Sequence, residues 1–302
     1  MAELRRRRLG ALVLVILSLA GCRRTEDAVT NGDRLWADSN FTGALAEYRL
    51  ALRRRADDPA VLARVAHAYA VTGRLAPARE TYGRLLAVDS SYAPQAVFDY
   101  LGLAEGALAR GDRYSVAASY QAAAALRPGL PVGAYAPVLA RYYGASGEPE
   151  RALAYYRQAL EAMPPDSAPA LLYETALLEE SRGNCGTAID QFREYRERAP
   201  RGPHAEEARW HVGNCAFELA KQFEAAGRPD DALAQLALVL DLGVPQNLQD
   251  QAWFHRGELL FAQGRRDEAL AAYQRVLDLN PARMGSLVER AQQRIDQIRF
   301  GT

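Results

Sequence analysis

The chain has 302 residues, with 37 basic side chains balancing 37 acidic ones, so it carries no basic bias of the kind nucleic-acid binders show. Three cysteines, of which only Cys185 and Cys215 follow Cys22, are too few for a disulfide-built scaffold. Alanine is abundant, while Val, Ile and Thr are sparse and do not alternate, which predicts an all-α chain.

At the N-terminus, Arg5 to Arg8 precede an apolar run from Leu9 to Ala20 and the small pair Ala20-Gly21. A basic start, a short apolar core and small residues at a cleavage point make a secretory signal peptide. The run is shorter than the ~20 residues of a membrane span. The string Leu19-Ala20-Gly21-Cys22 resembles the lipobox of bacterial lipoproteins. That resemblance implies removal of residues 1–21 and acylation of Cys22, with palmitate as one such acyl chain. Residues 22–24 would be a tether reaching roughly 10 Å. The mature chain would hold 33 basic and 36 acidic residues, a formal charge of −3. Arg23, rather than Asp, follows the cysteine, which by the same resemblance points to the outer membrane and a periplasm-facing protein.

The rest of the chain repeats. A glycine is followed five residues later by a small residue and nine later by an aromatic: Gly73-Ala78-Tyr82, Gly147-Ala152-Tyr156, Gly183-Ala188-Phe192 and Gly264-Ala269-Tyr273. Gly111-Val116-Tyr120 departs at one position. Pro128, Pro164, Pro200 and Pro281 stand eight residues after the aromatic, and Ala66, Ala104, Ala140, Ala176 and Gly257 stand seven before the glycine. With Trp253, these residues resemble the tetratricopeptide repeat (TPR). The resemblance implies a right-handed solenoid of about seven helix-turn-helix repeats over residues 25–281. Tyr48, Tyr82, Tyr120, Tyr156, Phe192, Leu236 and Tyr273 occupy the aromatic position in turn. In the sixth repeat Gly213 takes the small-residue position, 14 residues before Gly227 rather than seven, which predicts a first helix about two turns longer. Ser286 to Arg299, with Leu287, Ala291, Ile295 and Ile298 on one side, predicts a capping helix within the C-terminal segment 282–302.

No catalytic motif, cofactor-binding loop or paired metal-ligand spacing is present, so a non-enzymatic chain without a cofactor is expected. His204, Glu207 and His211 share one side of a helix without a near fourth ligand and read as a solvated face. By the resemblance, first helices line a concave groove. Phe98, Leu101, Arg141, Tyr173, Trp210, Phe217, Phe254 and Phe261 are its candidate protein-binding side chains, with Arg141 the one basic candidate for a peptide carboxylate. Trp210 and Phe217 are matched to Phe254 and Phe261. Cys185 and Cys215 are expected on neighbouring antiparallel helices, either as a disulfide outside the cytoplasm or as buried free thiols. The whole reads as a lipid-anchored envelope scaffold whose partners are envelope proteins or peptide segments, with no nucleic acid. Its alternatives are an accessory subunit of polysaccharide export or outer-membrane assembly, and a glycan-binding lipoprotein. Its oligomeric state stays open.

Overall fold

The structure, a computed structural model, describes residues 27–164 and 168–301. The signal segment, Cys22 and the tether lie outside them. Fifteen α-helices occur among the described residues: α1 (27–37), α2 (Phe41–Leu52), α3 (Pro59–Val71), α4 (Leu75–Val88), α5 (Ala93–Ala109), α6 (Arg113–Leu126), α7 (Ala136–Ala145), α8 (Pro149–Ala162), α9 (Pro169–Ser181), α10 (Cys185–Arg198), α11 (Ala205–Ala225), α12 (Pro229–Leu242), α13 (Gln249–Ala262), α14 (Arg266–Leu279) and α15 (Ser286–Phe300). This order is seven helix pairs and a cap. The chain divides into two compact units, one ending at Gly147 and the next beginning at Glu148. The first contains α1 to α7 and the second α8 to α15. No helix among the described residues is long and apolar enough to cross a membrane.

The short turns and caps explain why the helices end where they do. Between paired helices stand Gly73, Gly111, Gly147, Gly183, Gly227 and Gly264, all with φ between 68° and 78°. The backbone then closes the first helix by bonding back across the turn, as Arg74 N–H does to the Tyr69 carbonyl and Arg265 N–H to the Leu260 carbonyl. In the first pair this place belongs to Ser39, held at φ 59° without glycine's freedom. Asp58 caps α3 through its bonds from the Ala60 and Val61 amides at 3.0 and 3.3 Å, with Pro59 at the first helical position. The longer connections lie between pairs, and the one after α6 is pinned by Tyr120, whose hydroxyl donates to the Leu130 carbonyl at 2.8 Å.

Close approach of paired helices builds the core. Ala66, Ala104 and Ala176 are fully buried, and the tyrosine or phenylalanine sixteen residues later is buried with each. Where the small residue is glycine, the aromatic ring occupies the place of a side chain. A Cβ on Gly257 would lie 2.6 Å from the Tyr273 ring, and one on Gly32 would run into Tyr48. Gly32 thus serves the first pair as Gly257 serves the last. In the second unit α15 closes the stack, burying Ala291 and Ile295 against the seventh pair, with Leu287 and Ile298 packed beside them.

The sixth pair corrects the expected register. Its first helix, α11, has 21 residues against 13 in α9 and 14 in α13, so the extra length is present. Ala220, however, stands seven residues before Gly227 and sixteen before the buried Leu236, the spacing every other pair uses. Ala220 is therefore the small residue at this crossing, and the two additional turns lie at the N-terminal end of α11. Gly213 instead gives room for the connection between α12 and α13. A Cβ there would press into the Val244 carbonyl and lie 2.9 Å from Pro245 Cδ.

Candidate functional site

The expected groove side chains divide by burial. In the first unit Phe98 on α5 is 72% exposed, whereas Leu101 on α5 and Arg141 on α7 are half-buried. In the second unit Trp210 on α11 is 44% exposed and Phe261 on α13 half-buried. Tyr173, Phe217 and Phe254 are only 5%, 4% and 3% exposed, which corrects their assignment to an open binding face. All three stand three residues before the small residue of their helix, counting Phe217 from Ala220. That position turns towards the second helix of the same pair. Tyr173 meets Phe192 edge-on with centroids 5.7 Å apart, and Phe254 meets Tyr273 at 5.7 Å. They are core residues. The matching of Trp210 with Phe254 falls with the register, since Phe217 is the true counterpart of Phe254. The cap also covers the seventh pair, because Arg290 sits 4.4 Å over the Phe254 ring and Arg294 5.4 Å over Phe261.

Trp210 belongs to the added turns of α11, and those turns are held firmly. The His204 ring stacks on Tyr173 at 4.4 Å, and the His204 amide donates to the Tyr195 hydroxyl at 3.0 Å. Arg209 donates to the Leu242 carbonyl. Glu206 and Glu207 in the first turn suit the positive end of the helix dipole. The Trp210 indole meets the neighbouring His211 ring edge-on at 5.1 Å while nearly half of it faces solvent. A large amphipathic ring on a rigid platform is the usual form of an interaction anchor.

First helices of successive pairs are tied by polar contacts that sequence reasoning missed. In the first unit Arg64 of α3 reaches Asp33 of α1 at 3.0 Å, and His67 of α3 reaches Asp99 of α5 at 2.8 Å. In the second, Glu180 of α9 takes His211 at 2.6 Å and Asn214 at 3.1 Å from α11, Glu224 of α11 meets His255 of α13 at 3.0 Å, and Glu258 of α13 meets Arg294 of α15 at 2.8 Å. Tyr48 and Tyr273 add their hydroxyls to Asp33 and Glu258 at 2.8 and 2.5 Å. Burial alone would raise the Glu258 carboxyl, but the hydrogen bonds from Arg294 and Tyr273 outweigh it and hold the group below the usual glutamate range. Asp33 is lowered in the same way against its own burial, by Arg64 and Tyr48. These carboxylates stay ionised at neutral pH and are committed to neighbouring helices. A partial signal existed: Asp33 and Glu258 directly follow the crossing glycines Gly32 and Gly257.

His204 pairs with Glu207 at 2.9 Å while His211 turns to Glu180, so His204, Glu207 and His211 do not converge on a metal position. Cys185 and Cys215 are both buried free thiols in one apolar cluster.

Two stretches match tetratricopeptide-repeat family profiles, residues 138–203 and 250–283. These two stretches of the chain are tetratricopeptide repeats. Solved structures similar to it include the C-terminal part of a TPR repeat-containing protein from Cytophaga hutchinsonii, 15% identical over 86% of this chain and 97% of that one, with a TM-score of 0.36. Another is a tetratricopeptide repeat protein from Parabacteroides merdae, 15% identical over 91% and 99%, with a TM-score of 0.32. A third is YrrB, described as a TPR protein with an unusual peptide-binding site, 19% identical over 82% and 97%, with a TM-score of 0.30. No curated protein matches the chain. As a TPR array the protein is an interaction scaffold.

Proposed function

We propose that this TPR protein is a lipid-anchored, periplasm-facing scaffold that binds envelope proteins through exposed aromatic side chains of its first helices. The observation that carries the binding part is Trp210, presented on two helical turns that no other repeat possesses among the described residues. Its exposed half, covered by a partner, would contribute on the order of 2 kcal/mol from apolar burial. Phe98 supplies a second anchor in the first unit. The partner class that suits such anchors is an apolar peptide segment or helix face rather than a peptide carboxylate, because the basic residues of the first-helix ties are engaged with acids.

The envelope location rests on Arg5 to Arg8, the short apolar run and Leu19-Ala20-Gly21-Cys22. Growth with labelled fatty acid is expected to label the wild-type protein and to leave Cys22→Ser unlabelled, with the precursor retaining residues 1–21. Equal labelling of both forms, or of neither, would remove the lipid anchor from this account.

A further inference from the structure

A cleft between α2, α3 and α4 in the first unit holds charges that the repeat architecture does not use. Its volume is about 340 Å³, and Arg49, Leu52, Arg53, Tyr69, Glu80 and Arg84 are among its lining residues. That size falls at the lower end of small-ligand sites, roughly 300–1,000 Å³. Arg49 on α2 and Arg53 at its C-cap are four positions apart and share one face. Like charges at that spacing repel, and an anion between them relieves the repulsion. Neighbouring arginines have acids: Arg55 meets Asp58 and Arg84 meets Asp57, both at 3.4 Å. Arg49 and Arg53 meet none among the described residues. Glu80, one turn before Arg84, lines the same cleft, yet Arg84 turns to Asp57 and the Ala56 carbonyl instead. The negative end of the α2 dipole suits both unpaired arginines, and a solvated helix end would need no more than that. It would not need Arg84 brought to the same cleft from α4, nor an unpaired carboxylate within it.

The cleft also lies where the N-terminal segment departs. Gly32 of α1 is packed against the Tyr48 ring of α2, and Asp33 accepts from the Tyr48 hydroxyl at 2.8 Å. Because α1 and α2 are antiparallel, Ala28, one turn earlier on α1, is level with Leu52, one turn later on α2. Both residues join the same apolar cluster. Residue 27 therefore begins α1 beside the cleft. Cys22 precedes it by five positions, a span of at most roughly 18 Å.

We infer that this cleft binds the headgroup of a phosphatidylethanolamine-type phospholipid in the membrane that carries the anchor. Arg49 and Arg53, with Arg84, hold the phosphate, and Glu80 takes the ammonium group. Guanidinium forks match phosphate oxygens two at a time. A carboxylate among them would repel a simple anion and suits a zwitterion, whose amine lies a short link away from its phosphate. The bilayer as the source of this ligand rests on the acylation of Cys22 proposed above, whereas the phosphate-and-amine chemistry rests on the described side chains alone. Headgroup and acyl chain together would make a two-point attachment that orients the first unit on the membrane.

The test follows hydrogen–deuterium exchange by mass spectrometry in the full chain, titrated with dihexanoyl phosphatidylethanolamine below its micelle-forming concentration. The matched ligands are dihexanoyl phosphatidylglycerol, which has the phosphate without the amine, and inorganic phosphate. Phosphatidylethanolamine is expected to slow exchange around residues 49–57 at a concentration about tenfold below that needed by either of the others. Arg49→Ala/Arg53→Ala should lose this protection. Both side chains are exposed, so the variant should unfold in urea together with wild type. Glu80→Gln should respond equally to the two lipids. Acylation of Cys22 is scored separately with labelled fatty acid, which keeps the two readings apart: protection without acylation supports the site and removes the anchor, and acylation without protection overturns the site. Equal protection in the folded double-arginine variant, inorganic phosphate acting at the same concentration as phosphatidylethanolamine, or no difference between the two lipids in wild type would each overturn the inference.

Discussion

Gly213→Ala is expected to destabilise the second unit by on the order of 3 kcal/mol, a large fraction of the margin that holds an ordinary domain folded. The added methyl would press into the Val244 carbonyl and sit 2.9 Å from Pro245 Cδ. Both atoms belong to backbone or a proline ring, so no flexible side chain can swing aside. Either α11 moves from the connection or the connection moves from α13, and both are tied in place: Arg209 of α11 holds the Leu242 carbonyl, and Gln249 of α13 donates to the Val239 carbonyl at 3.1 Å. Gly186→Ala is the control. Gly186 lies near the start of α10 with nothing within 4 Å of an added Cβ, and alanine there should stabilise by up to about 1 kcal/mol. Thermal or urea unfolding of the two variants should therefore shift in opposite directions. Equal shifts would mean that Gly213 does not carry the α12–α13 connection.

Tyr173→Ala is expected to cost about 3–5 kcal/mol, while Trp210→Ala stays within about 1 kcal/mol of wild type. The side chains are comparable in size and both belong to the groove set that the sequence suggests, so the contrast comes from the structure alone. Tyr173 packs against Phe192, Tyr195 at 5.3 Å and the stacked His204 ring. Its removal opens a cavity in the core of the fifth repeat and also frees the start of α11. Trp210 touches His211 at its edge, and nearly half of it faces water. Urea unfolding separates the two cases. A loss for Trp210→Ala as large as that for Tyr173→Ala would make the indole a packing residue.

The repeat was legible because one glycine, one small residue and one aromatic recur at fixed spacing, and each position makes a demand that few residue types can meet. Gly73 and its equivalents adopt a left-handed turn, Ala176 lets α9 and α10 approach, and Phe192 fills the space beside them. The register of the sixth repeat was hidden for a geometrical reason. Seven residues are close to two helical turns, so Gly213 and Ala220 project in nearly the same direction and both are buried. Only the later contacts, Gly213 against Val244 and Ala220 in step with Leu236, separate them. The candidate site was less legible. A first-helix aromatic that packs on its own partner helix and one that faces outward differ by a fraction of a turn. Tyr173 and Phe254 fell on the inner side of that line and Phe98 and Trp210 on the outer. The ties Arg64–Asp33 and His255–Glu224 join residues 31 positions apart, a pairing that shows only once the helices are stacked.

The claim that the exposed aromatics are the working surface is tested most directly by in-cell crosslinking and capture of the tagged full chain. Partners would be identified by mass spectrometry in wild type and in Phe98→Ala/Trp210→Ala, with both proteins matched for abundance and folding. The account predicts a discrete set of envelope proteins that is lost from the double variant. The same set captured undiminished by a folded variant would contradict it and place binding on another face of the repeats.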